Sequence, residues 1–172
     1  ERAGNYGVPL AFLALAGGMG LMRAWWTGFE VIDEPEFKLS DSTVRRVRWI
    51  LQLSVGLLLI GHGGLVAIAQ KAMYFDHARA IGIHATPGML VAVGWFEIAL
   101  GIAVAIRPIP PLVWFILVWK LFTESLYPFA GHAIDIFETI ERWGDCGACI
   151  ALILIHHYER LHGRREDPPT ST

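Results

Sequence analysis

Four side chains that carry charge or titrate stand inside otherwise apolar stretches: His62, Glu97, Lys120 and Glu124. Glu97 is the one charge between Thr86 and Ile106. A carboxylate deep in an apolar helix is costly unless it is neutralised or paired, and by default it marks function. Lys120 and Glu124 are four residues apart, one turn along a single helix face. A tight turn between the two apolar runs would set Glu97 and Lys120 at similar depth. An ion pair or a shared proton between them is then geometrically open. His62 lies between Gly61 and Gly63, which could open space beside it. The four are expected to line one polar pocket, with Glu97 and Lys120 turned inward and meeting directly or through water. The plainer alternative is a buried ion pair that only fixes which helix faces touch. A proton relay is the third.

Cys146 and Cys149 form a Cys-x-x-Cys pair. A thiol near a helix N-terminus can be activated, and this spacing is redox-active in thioredoxin-like folds. The alternative is two packed thiols or a quiet disulfide in an oxidising compartment. Cys146 and Cys149 are therefore redox candidates only. Two thiols are too few ligands for zinc, and so is His62 by itself; no metal site is expected. His156, His157 and His162 read as interfacial, beside Arg160, Arg164 and Arg165, whose charges suit anionic lipid. No phosphate loop, dinucleotide fingerprint, nucleophile elbow or His-Glu-x-x-His motif occurs.

The elements that must position these residues follow from composition. The chain has 172 residues, 54% of them hydrophobic and only 17% charged. Soluble domains average about 25% charged. Mean hydropathy is +0.46. A net charge of −2 gives no basis for nucleic-acid binding. A bilayer core needs roughly 20 apolar residues per helix. Five segments approach that length: A, Ala3–Met22; B, Trp49–Gln70; C, Thr86–Ile106; D, Ile109–Phe129; and the shortest, E, Cys146–Tyr158. Thr86-Pro87 reads as the cap and first residue of helix C. Pro108, Pro110 and Pro111 break C from D, and Pro128 with Gly131 closes D. The expected fold is an all-α integral membrane protein, a four-helix transmembrane bundle preceded by one extra transmembrane helix.

Lys and Arg outside the spans set orientation. The A–B loop holds Arg23, Lys38, Arg45, Arg46 and Arg48; the C–D loop adds Arg107 and the tail Arg160, Arg164 and Arg165, nine on one side. The other side has four: Arg2, Lys71, Arg79 and Arg142. The richer side is expected to be cytoplasmic, with the start of the chain outside.

An internal repeat aligns Glu1-Arg2-Ala3-Gly4-Asn5-Tyr6-Gly7 with Glu141-Arg142-Trp143-Gly144-Asp145-Cys146-Gly147. Both copies open an apolar run. Segment A then reads as the last helix of a preceding unit, packing weakly on B–E. With no initiator Met and no basic leader, the chain reads as the C-terminal part of a longer protein. The division expected is 1–24 for helix A, 25–47 for a cytoplasmic linker, 48–161 for the four-helix unit and 162–172 for a cytoplasmic tail. Residues 131–141 read as an amphipathic stretch along the outer surface.

Three stretches together resemble the DoxX-like membrane proteins. They are Arg48 entering a span with Gly56 and Gly61-His62-Gly63, then Gly94-Trp95-Phe96-Glu97-Ile98-Ala99-Leu100-Gly101, then Ile140-Glu141-Arg142-x-Gly144-Asp145. The resemblance covers about residues 45–160, with 1–22 as a partial second copy. It implies compact four-helix units, and a family that includes the small membrane subunit of a thiosulfate:quinone oxidoreductase. By that resemblance the chain would be a quinone-linked redox or anchoring subunit of a respiratory-type complex in a bacterial-type inner membrane. Its partners would be the lipid bilayer and other membrane subunits in a hetero-oligomer. The cofactor implied is a quinone, whose head would meet His62 or Glu97, with Trp95 or Trp119 packing nearby. The alternative is a structural accessory subunit with no chemistry of its own. Segment A, the Cys-x-x-Cys and the Lys120–Glu124 pair match no family motif.

Overall fold

The computed structural model describes residues 3–15, 40–129, 137, 140 and 142–163. All regular structure among them is helical: α1 (Ala3–Leu15), α2 (Asp41–Ala67), α3 (Met73–Ala80), α4 (Pro87–Ile106), α5 (Pro110–Phe129) and α6 (Trp143–Gly163). The linker lies outside the described residues up to 39, and α2 already occupies its last residues. The tail from 164 onward and most of 131–141 also lie outside them.

Local chemistry sets the helix ends. The Ser40 hydroxyl accepts the Thr43 N–H at 3.3 Å, a side-chain cap that starts α2 well before the charge-free run. Its first turns carry Arg45, Arg46 and Arg48. Thr86 caps α4 by accepting the Met89 N–H at 3.3 Å. Pro87 follows in the first turn, where a missing N–H costs nothing. The backbone turns extended at Arg107, and α5 starts at Pro110. Gly82, at a φ of 77°, closes α3 in a conformation that other L residues rarely adopt. The sequence reading missed α3, because Asp76, His77 and Arg79 interrupt its apolar pattern.

Helix α2 is the hub, touching α1, α4 and α6. Its seam with α4 is built on glycine. Gly56 faces Gly101 and Gly63 faces Gly94, so the helices run antiparallel with both pairs seven residues apart. A Cβ on Gly94 would meet the Ala67 nitrogen at 2.5 Å, and one on Gly101 would meet the Gly56 carbonyl at 2.7 Å. Small residues here let two backbones approach as they do in membrane helix pairs. By contrast, α4 and α5 meet at few points, although they are joined by a short turn.

Segment A does not pack weakly. Helix α1 lies against α2 and α6, with Gly7 on Ser54, Asn5 on Gly144 and Ala11 in the common apolar core. Small residues at the contacts explain it: Gly7 and Gly144 leave room that a larger side chain would fill. The two repeat copies thus adjoin at the starts of α1 and α6. Tyr6, Leu10 and Phe12 remain exposed on the other side.

Polarity is inverted relative to a water-soluble bundle. The interior holds Gln52, His62, Glu97, Lys120, Glu124 and Asp145, while Leu57, Ile102, Val118, Leu121 and Leu154 face outward. Extended apolar surface of this kind marks contact with lipid or with other protein. Among the described residues two helices, α2 and α4, are long and apolar enough to cross a membrane.

Candidate functional site

The close seam between α2 and α4 brings His62 and Glu97 together. Gly63 and Gly94 adjoin the pair, so their contact sets the distance. The glycine beside His62 therefore admits α4; it does not open space, as the sequence suggested. His62 Nδ1 lies 2.9 Å from Glu97 Oε2. Trp119 Nε1 donates to Glu97 Oε1 at 2.8 Å. Each carboxylate oxygen thus has one nitrogen partner, an arrangement that suits an ionised carboxylate. Glu97 and His62 are buried, at 1% and 4% exposure.

With Glu97 ionised the carboxylate only accepts, and Nδ1 of His62 then carries the proton. In the neutral imidazole this leaves Nε2 as an acceptor. That atom is buried and has no hydrogen-bond partner among the described residues. His62 lines a half-open cavity of about 240 Å³ between α4 and α5, together with Val93, Glu97, Trp119, Phe122 and Tyr127. The walls are overwhelmingly apolar. The space exists because α4 and α5 diverge where α3 wedges against α5. Tyr74 and His77 of α3 supply one wall; Tyr74 meets the His62 ring edge-on at 5.5 Å between centroids. Phe96, Phe115 and Trp119 close the seam below it, with Phe96 and Trp119 centroids 5.4 Å apart.

The four expected residues do not share one pocket. Lys120, wholly buried, donates to Glu124 on its own helix, and neither residue lines the cavity. Glu97 is hydrogen-bonded to His62 and Trp119, and Lys120 to Glu124, so the expected Glu97–Lys120 pair is replaced by two separate ones. The reason is rotational: Trp119, one residue earlier, reaches α4, and Lys120 is turned toward α6. There Arg142 Nε lies 3.7 Å from Glu124 Oε2, and the Arg142 guanidinium sits 4.4 Å above the Tyr127 ring. Asp145 is buried beside this group. Tyr127 also meets His77 at 4.4 Å between centroids, so aromatic rings connect the two polar clusters.

Trp95 is not part of the site. It is 55% exposed and absent from the cavity wall, and Trp119 holds the position it was expected to share. Cys146 and Cys149 are free and buried in the core formed with Ala11, Val55, Leu59 and Leu152. Neither thiol lines the cavity. His77 and Tyr127 were missed by the sequence reading; the signal available was a titratable residue in a short amphipathic segment. Among the described residues no cluster of His, Cys, Asp and Glu could hold a metal ion. Comparison with family models, with curated proteins and with solved structures finds no match.

Proposed function

We propose that the chain is an integral membrane subunit whose α4–α5 cavity receives the head of a quinol or quinone. The observation that carries this reading is that His62 lines an apolar cavity and its buried Nε2 has no hydrogen-bond partner among the described residues. An apolar ring with one polar edge matches such a space. A cavity of about 150 Å³ holds benzene. The 240 Å³ beside His62 has room for a substituted ring. The bound group would supply two-electron, two-proton chemistry, and its electrons would be exchanged with a redox centre on a partner subunit.

The residues of this chain would bind and move a proton. Neutral His62 accepts a hydroxyl hydrogen at Nε2. Glu97 holds the opposite N–H in place and stabilises the imidazolium if the proton transfers. Trp119 keeps the carboxylate oriented. The apolar walls exclude water. The proposed fold is five transmembrane helices, α1, α2, α4, α5 and α6, with the end richer in Lys and Arg in the cytoplasm. The resemblance to DoxX-like proteins supports this placement and the respiratory-type setting.

The test is saturable binding of a short-tailed benzoquinone, decylubiquinone, to the purified chain in detergent, read by quenching of tryptophan fluorescence. Saturation that disappears in His62→Leu is expected. Equal quenching by His62→Leu would refute the site. The accessory-subunit reading draws on the other cluster: Lys120, Glu124 and Arg142 join α5 to the start of α6 without touching the cavity.

A further inference from the structure

A second cavity, of about 320 Å³, lies at the opposite end of the bundle from α3. Arg48, Trp49 and Gln52 of α2 line it, with Arg107 of the α4–α5 turn and His156 of α6. Three elements thus direct basic side chains to one space. The Glu159 carboxylate lies beside it, 3.3 Å from Arg48 Nη1 and 3.8 Å from His156 Nδ1. Among the described residues one carboxylate against two guanidiniums leaves positive charge uncompensated, even with His156 neutral. Gln52 is committed elsewhere, donating to the Ala105 carbonyl at 2.6 Å.

Two nitrogens remain open. Arg48 Nε and His156 Nε2 are buried atoms with no hydrogen-bond partner among the described residues. Arg48 Nε is a donor, and a buried donor left unsatisfied is costly, so it asks for a ligand; His156 Nε2 joins it as a donor when the imidazole carries both protons. The ligand they suit is an anion with several acceptor oxygens, and guanidinium forks match phosphate. Depth identifies its source. The cavity sits where the charge-free stretch of α2 begins at Trp49 and the apolar run of α4 ends at Ile106. Trp49 is half-exposed, as an interfacial ring would be. Basic pockets between membrane helices at this level take lipid headgroups.

We infer that Arg48, Arg107 and His156 form a binding site for the phosphodiester headgroup of an anionic phospholipid. The site needs the membrane placement proposed above but not the quinone cavity. It gives the bundle a lipid-specific tie between the α4–α5 turn and the ends of α2 and α6.

The test measures the unfolding temperature of the purified chain in neutral detergent. Phosphatidylglycerol, phosphatidylcholine and inorganic phosphate are each added to the wild type, Arg107→Gln and Arg48→Gln. Phosphatidylglycerol is expected to raise the midpoint by about 5 °C at saturating excess. Phosphatidylcholine and phosphate should leave it within about 1 °C. Arg107 is exposed, so Arg107→Gln should fold and lose at least half of the shift. Arg48→Gln should lose more. Native mass spectrometry of Arg107→Gln gives an independent reading, with retained phosphatidylglycerol reduced several-fold. An equal shift with phosphatidylcholine would overturn the assignment, as would an undiminished shift in Arg107→Gln. An equal shift with inorganic phosphate would overturn the lipid source. Failure of quinone binding alone would leave these outcomes unchanged.

Discussion

The two buried polar clusters use similar chemistry and differ in what lies beside them. Glu97 and His62 border open space, and one His62 nitrogen is buried without a hydrogen-bond partner among the described residues. Lys120, Glu124 and Arg142 are packed between α5 and α6, where their charges meet each other. Helix spacing makes the difference. Glycines draw α2 and α4 together, and the divergence of α4 from α5 leaves the gap that the first cluster faces. Buried charge is common to both clusters; access to a cavity distinguishes the proposed site from the packed one.

Loss of Lys120 should have the largest effect. Lys120→Met leaves Glu124 and Asp145 buried with less compensation, at a cost of about 3–5 kcal/mol. Neutralising the pair in Lys120→Met with Glu124→Leu should recover at least half of that in detergent unfolding. The contrast between clusters fails if Glu97→Gln proves as destabilising as Lys120→Met.

The glycine seam comes next. Gly94→Ala should cost about 1–3 kcal/mol, because its Cβ meets backbone that cannot give way. Gly64→Ala meets no atom outside its own helix turn, and it should be neutral or stabilising by up to about 1 kcal/mol. Equal costs in thermal unfolding would remove close approach as the reason for the seam.

Glu97→Gln sharpens the comparison at the site. An amide can donate to Nδ1 of His62, which moves the imidazole proton to Nε2. Stability should fall by only about 1–2 kcal/mol. Preference between reduced and oxidised decylubiquinone should invert, because Nε2–H now favours a carbonyl over a hydroxyl. An unchanged preference would show that the tautomer does not govern recognition.

The smallest expected effect concerns two tryptophans. Trp119→Phe loses the hydrogen bond to Glu97 and should cost about 1 kcal/mol. Trp95→Phe should change stability by less than about 0.5 kcal/mol. Matching values in denaturant titrations would contradict the placement of Trp119 as the ring that orients the carboxylate.

The helices were legible in sequence where caps and prolines punctuate apolar runs. Thr86-Pro87 starts α4 as read, and the prolines after Arg107 separate it from α5. The inward placement of His62, Glu97, Lys120 and Glu124 was legible as charge or titration within apolar stretches. Their partners were not. Depth along a helix suggested Glu97 with Lys120, but rotation about the α5 axis gives Glu97 to Trp119 and turns Lys120 to α6. The glycines were readable as close-approach residues, yet only the pairing of Gly63 with Gly94 shows that they set the His62–Glu97 distance. The contact of α1 with α2 and α6 was also hidden, because the repeat suggested a separate unit.

The most direct measurement of the central claim compares decylubiquinone affinity across the two clusters, in folded protein at matched detergent. His62→Leu empties one site of its acceptor, and Lys120→Met with Glu124→Leu removes the other pair without touching the cavity wall. The account predicts at least a tenfold loss of affinity in the first variant, the equivalent of about 1.4 kcal/mol, and affinity within twofold of wild type in the second. Undiminished affinity in His62→Leu, or a tenfold loss confined to the double variant, would contradict it.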